Sequence, residues 1–352
     1  AFLEVYREAS RSSRLSCLTI MIPLYASALC ALLHIGVASA AVPEDIASAL
    51  AEYGLGQIVQ MSADGLDAPV GAQTGTPIVM MHGMGDFADN PMGMVPIRKM
   101  IAARAGAYVH SVSICSKPTQ LENCAAEDQS NGFFMTMDHE VDQFARVVRA
   151  DPKLAGGFNA IGFSQGNAVI RGYIHKYNSP PVKNFVSVHG VLMGVAGLPQ
   201  CPMNKSVPAL STICRTVDWL IGDFGAYTEF LQNRLAQVNY YRDPDHLDQY
   251  RAHGHFLPHI NNEVKGKENS TYTQNFKSLS KLALVMAEDG SMKELVAMKD
   301  APWYTEDWFG LKSLDEAKKI DLYSTPGNHL RFTKDFLMQM VDKYFKDATV
   351  LV

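Results

Sequence analysis

The stretch Gly162-Phe163-Ser164-Gln165-Gly166 decides how this chain is read. It follows a short apolar run, Phe158 to Ile161, and precedes a helix-like segment, Asn167 to Tyr177. A G-x-S-x-G set between strand and helix makes a sharp turn that lifts a serine hydroxyl out of a sheet. Glycine is needed two places before and two after the serine, where a Cβ would crowd the turn or the next strand. Alone, the pentapeptide fits an ordinary glycine-rich turn just as well. Its surroundings have to decide.

Working outward, short apolar runs alternate with amphipathic segments. Ile78 to Met81 ends in His82-Gly83-Met84-Gly85-Asp86, Tyr108 to Val112 makes another strand, and Glu140 to Val148 has helical spacing. After the helix that follows Ser164 come strands at Phe185 to Val188, Leu282 to Met286 and Ile320 to Tyr323, then an amphipathic helix, Lys334 to Phe345. This pattern predicts an α/β fold, a mostly parallel sheet with helices on both faces. Ligand chemistry in such sheets gathers at the C-terminal strand ends, where both Ser164 and the His82–Asp86 loop fall.

Between about residues 194 and 277 the alternation stops. The segment is rich in aromatics, Asn, Asp and Pro, with a helix-like piece from Trp219 to Val238, and reads as a cap-like insertion over the strand ends. Its apolar side chains argue for packing rather than disorder.

A serine is a weak nucleophile that needs an adjacent base, and an imidazole that is neutral near pH 7 can take its proton. A carboxylate then holds the imidazole's tautomer. His329, in the loop Ser324-Thr325-Pro326-Gly327-Asn328-His329 after the last strand, is the candidate base. After the preceding strand, Glu288 and Asp289 compete for the acid, with Asp321 a third candidate. The order Ser, Asp, His is that of the α/β-hydrolase triad. The developing oxyanion needs two N–H donors: Gln165, following the nucleophile, and Met84, freed by glycines on both sides. His253, His255 and His259 have spacing that fits no usual metal site, so neither metal nor cofactor is expected.

At 352 residues with 47% hydrophobic and 19% charged, the chain can bury a large core. A net charge of -5 and the lack of Lys/Arg runs exclude an electrostatic case for nucleic acid. Arg7, Arg11 and Arg14 precede an uncharged stretch, Leu15 to Pro43, with Ala38-Ser39-Ala40 near its end. These are the parts of a signal peptide over residues 1–40, with an uncleaved signal anchor as the competing reading. A segment 41–76 then leads to a catalytic domain over 77–352. Cys115, Cys124, Cys201 and Cys214 allow three disulfide pairings, of which Cys115–Cys124 with Cys201–Cys214 is the sequence-local choice. Asn204 and Asn269 open N-x-S/T sequons.

The loop HGMGD, the elbow in NAIGFSQGN, the segments GVAGLPQCP, YYRDPDHLDQYR, FLPHINNE and YTEDWFGLKSLDEA, and the ending PGNHL together resemble lysosomal palmitoyl-protein thioesterases. The likeness runs from about Pro77 to the C-terminus. It implies an α/β-hydrolase fold whose insertion forms much of a fatty-acyl groove. It also implies Ser164 as nucleophile, Asp289 as acid and His329 as base, with oxyanion amides on Met84 and Gln165. A Cys201–Cys214 disulfide, a glycan on Asn269 and lysosomal delivery by the secretory route complete what it implies. The expected substrates are S-acylated proteins or peptides and fatty acyl thioesters, which bring transient contact with membranes.

The chain departs from the family pattern in places. Asn167 stands where the elbow usually has a second glycine, with a small effect expected, and Phe87-Ala88 replace paired cysteines. Cys115–Cys124 is this chain's own, and Gly190-Val191-Leu192-Met193-Gly194 is more apolar than the family pattern. Competing functions are an acyl-CoA thioesterase, an esterase or lipase on oxygen esters, and a non-catalytic lipid-binding protein on the same fold.

Overall fold

The computed structural model describes residues 73–117, 124–196, 225–288 and 297–347. The signal segment 1–40, most of the segment 41–76, Asn204, the Cys201–Cys214 pair and Asp289 lie outside the described residues.

Six strands form one parallel sheet. They are β1 (Gly75–Met81), β2 (Ala107–Val112), β3 (Phe158–Phe163), β4 (Val182–Val188), β5 (Lys281–Ala287) and β6 (Ile320–Thr325), in the order β2-β1-β3-β4-β5-β6. Every neighbouring pair is parallel, so each connection has to cross back over the sheet. Strand alternation distributes side chains to two cores. Val79, Met81, Phe158 and Ala160 point to one, beside Val141, Phe144, Val169 and Tyr173. Ile78, Met80, Ile161 and Phe163 point to the other, beside Ile97, Ile101, Met340 and Val341.

The helices that supply these partners are α1 (Met94–Ala105), α2 (Ala125–Phe134), α3 (Met137–Ala150), α4 (Gly166–Lys176), α5 (Leu247–His253), α6 (Ser270–Lys277) and α7 (Lys334–Tyr344). The α3 sequence places Val141, Phe144, Val147 and Val148 on one stripe, and Thr136 starts it by accepting from His139 N. Thr333 caps α7 in the same way through Phe336 N at 3.1 Å. β3 is buried at all six positions, as a central strand covered on both faces must be.

The expected helix from Trp219 to Val238 is corrected where it is described. Only two short turns, Glu229–Gln232 and Ala236–Asn239, form there. A single helix is replaced because Gln232 and Asn239 turn inward and satisfy backbone groups: Gln232 Nε2 donates to the carbonyls of Ala226 and Val238. The described part of the insertion, residues 225–277, packs against the sheet's helices. Tyr240, Tyr250, Phe256, Leu257, Ile260 and Phe276 join the core that holds α3 and α4.

Candidate active site

β3 delivers Ser164 and α4 leaves from it. Ser164 has φ 52°, the left-handed region that non-glycine residues rarely occupy. The turn is held from outside: Ser164 N donates to Val188 O at 3.1 Å, at the end of β4. Asn167 adds two anchors, its Nδ2 donating to Ser164 O at 3.0 Å and Val188 O at 2.9 Å. It is fully buried, so it has a larger part in the elbow than the small effect expected of it. A Cβ on Gly162 would lie 2.6 Å from Asn167 Oδ1, and one on Gly166 would lie 2.5 Å from Met81 O and also meet His82 O. Both glycines are therefore steric requirements of the turn.

His329 Nε2 lies 2.8 Å from Ser164 Oγ, a base-to-nucleophile hydrogen bond across 165 positions of sequence. Loss of solvent pulls the imidazole down to about 4, which keeps it neutral and able to accept a proton at any less acidic pH. Two of the three acid candidates are engaged at the surface. Glu288 is exposed and accepts from Ser324 Oγ at 2.6 Å. Asp321 accepts from Tyr344 OH at 2.6 Å and faces Lys343 and Lys281 at 3.3 and 3.7 Å, a surface cluster. Asp289, next to Glu288 in the sequence, lies outside the described residues.

The His82–Asp86 loop lies directly against the elbow. A Cβ on Gly83 would stand 3.2 Å from both Phe163 O and Ser164 Cβ, and one on Gly132 of α2 would stand 3.2 Å from Gly85 N. Buried acids tie the loop down. Asp86 Oδ1 accepts from Phe87 N and Asn90 Nδ2, and Asp128 accepts from Ala88 N and Ser113 Oγ. Desolvation raises both carboxyls above their ordinary range. Among the described turn and loop hydrogen bonds, neither Met84 N nor Gln165 N donates to a backbone carbonyl. Two such amides, without a backbone partner among the described residues, suit an oxyanion.

Sequence reasoning missed what fixes Gln165. Its side chain donates to Gly132 O and to Glu140 Oε1, both at 2.9 Å, and accepts from Tyr240 OH at 2.9 Å. The insertion thus reaches the elbow through one phenol. The signal for Glu140 was its place on the apolar stripe of α3, where an acid is out of pattern.

Elsewhere, Cys115 and Cys124 are bonded, their Cα atoms 5.6 Å apart, tying the exit of β2 to the start of α2. Asn269 caps α6, its Oδ1 accepting from Thr271 N and Tyr272 N, which leaves Nδ2 clear of the cap. His255 pairs with Glu229. Among the described residues, no group of three or more His, Cys, Asp or Glu could hold a metal, and no helix is long and apolar enough to cross a membrane.

A parallel sheet carrying a strained serine at a strand-to-helix turn, with a late histidine on its hydroxyl, is an α/β-hydrolase architecture. The comparison with known proteins narrows the class. The sequence pattern described as palmitoyl protein thioesterase matches residues 77–329, and the chain belongs to that family. Palmitoyl-protein thioesterase 1 of Caenorhabditis elegans is 34% identical over 288 residues, covering 76% of this chain and 91% of that protein. Palmitoyl-protein thioesterase 3 of Dictyostelium discoideum is 32% identical over 271 residues, covering 72% and 84%. Lysosomal thioesterase PPT2-B of Xenopus laevis is 29% identical over 210 residues, covering 53% and 68%.

Proposed function

We propose that this chain hydrolyses long-chain fatty acyl thioesters, palmitate or a similar chain on a protein or peptide cysteine, through an acyl-serine. The observation that carries the reading is the 2.8 Å approach of His329 Nε2 to Ser164 Oγ at the elbow of a member of this family. Ser164 Oγ attacks the thioester carbonyl as His329 takes its proton. The C–O bond forms, the carbonyl electron pair moves to oxygen, and the amides of Met84 and Gln165 stabilise it. Collapse breaks the C–S bond, and the cysteine sulfur leaves as thiolate or takes the proton from His329. Water then attacks the acyl-serine with His329 again as base, releasing the fatty acid and restoring Ser164. Asp289 is assigned to hold the His329 tautomer.

A thiol leaves more readily than an alkoxide, so placing the acyl chain matters more than strong acid assistance. Relatives named as lysosomal and the signal-like leader support the secretory route and a lysosomal destination. The test compares rates on a palmitoyl-cysteine peptide, palmitoyl-CoA and a palmitoyl oxygen ester, with a fluorophosphonate serine probe as control. The peptide is expected to be preferred. Preference for palmitoyl-CoA or the oxygen ester overturns the substrate assignment, and binding without turnover overturns the enzyme.

A further inference from the structure

We propose that His189 is a positioning residue that sets the loop carrying His329, an inference that rests on the Ser164–His329 reading above. His189 stands just past β4, and it is buried. Its own backbone has φ 48° and is pinned by His189 N donating to Val285 O at 3.0 Å. The ring joins the end of the sheet to the histidine loop on both sides. Nδ1 accepts from Leu330 N at 2.7 Å, so that nitrogen carries no proton. Nε2 therefore carries it and donates to Thr325 Oγ1 at 2.9 Å, at the end of β6. The threonine hydroxyl in turn donates to Arg331 O at 2.9 Å. One neutral imidazole with a single tautomer thus satisfies this chain of donors and acceptors.

What the chain holds is Leu330, another non-glycine residue in the left-handed region, at φ 56°. His329 precedes it directly. Without an acceptor for Leu330 N, nothing in that ring holds the strained backbone, and the base is free to drift from Ser164. The two histidine rings lie 5.8 Å apart. A charge on His189 would oppose the imidazolium that forms on His329 during the reaction, so neutrality serves the chemistry as well as the fold. Burial and the neighbouring His329 pull His189 down to about 4, in keeping with that state.

The partners of His189 lie 136 and 141 positions away, and no short motif contains them. The experiment compares His189→Leu, His189→Asn and His189→Gln with His329→Ala, all as full chains, on a palmitoyl-cysteine peptide. Asn places Oδ1 where Nδ1 accepts from Leu330 N, whereas Gln extends only toward Thr325. We expect His189→Leu to lower kcat by about 100-fold with KM changed by no more than about twofold, the scale of an ångström-level misplacement. Labelling of Ser164 by a fluorophosphonate should slow by the same factor. His189→Asn should recover to within about tenfold of wild type and exceed His189→Gln. If His189→Leu does not fold, the order of Asn over Gln still decides. A His189→Leu enzyme within about twofold of wild type, or Gln equal to or better than Asn, overturns the inference. Activity retained in His329→Ala instead overturns the underlying triad reading, whatever His189 does.

Discussion

Glu140 Oε1 accepts a 2.9 Å hydrogen bond from Gln165 Nε2 while Glu140 Oε2, equally buried, has no partner among the described residues. A carboxylate in that place would be an uncompensated charge beside the residue whose amide is assigned to the oxyanion. Burial is the main cause that lifts Glu140 well above its ordinary range, with nearby Asp128 adding to it. The group is a neutral acid at low pH.

That state has a pH signature. A carboxyl raised by folding contributes stability that is intact below its unfolded value and lost as pH rises through its folded value. Glu140→Gln cannot ionise and keeps an oxygen for Gln165 Nε2. Thermal melts from pH 4.5 to 8 should show equal midpoints for the two proteins at the acid end. At the alkaline end the variant should melt a few degrees higher. A variant that is less stable than wild type at pH 8 would show that Glu140 works as a charged group.

Ser164→Ala and His329→Ala should each abolish thioester hydrolysis by about 10⁴-fold or more while leaving the melting temperature near wild type. Both side chains sit at the rim of the turn rather than in the two cores, so their loss exposes no apolar cavity. Palmitoyl-peptide turnover and circular dichroism check the two halves. Near-native activity in Ser164→Ala would sink the acyl-serine mechanism.

The acid can be assigned by exchange of three carboxylates. Asp289→Asn should lower kcat by about 10³–10⁴-fold, whereas Glu288→Gln and Asp321→Asn should stay within about threefold. Glu288 is occupied by Ser324 on the surface and Asp321 by Tyr344 and two lysines. A large loss in Glu288→Gln with a small one in Asp289→Asn would move the acid by one position.

The parallel sheet was legible because its central strands are short apolar runs: β3 is buried at every position, which removes the polar alternation that the edge strand β6 keeps. The elbow and His329 were legible because local glycines mark both turns. The helices α1, α2, α5 and α6 were not. In α1, Met94, Pro96, Ile97, Met100, Ile101 and Ala102 are buried, but the outer face mixes Val95, Ala103 and Ala105 with Arg98, Lys99 and Arg104, which blurs the apolar period. In α2, Asp128, Gln129 and Gly132 are buried, Asp128 accepting from Ala88 N and Gly132 lying against Gly85, and the sequence looks like a polar loop. Asn167 was underestimated for a related reason: its acceptors include Val188 O, on a strand it meets only after folding. Contacts of that kind have no local spacing to read.

Gly166 allows a test of the elbow that touches no reacting atom. Gly166→Ala places a methyl 2.5 Å from Met81 O at the end of β1 and against His82 O, where the loop that leads to Met84 begins. Either the elbow or that loop must move, and both carry an assigned oxyanion amide. The expected result is a loss of about 1–3 kcal/mol in stability from overpacking. A fall in kcat of about 100-fold should accompany it, with the misplacement of a donor as cause. Gly156→Ala is the matched control, because a Cβ there meets nothing within 4 Å. It should leave both properties unchanged. Urea unfolding and palmitoyl-peptide turnover on the two variants decide the point: if Gly166→Ala matches Gly156→Ala in kcat, close packing of the elbow on the His82–Asp86 loop is not what aligns the oxyanion donors.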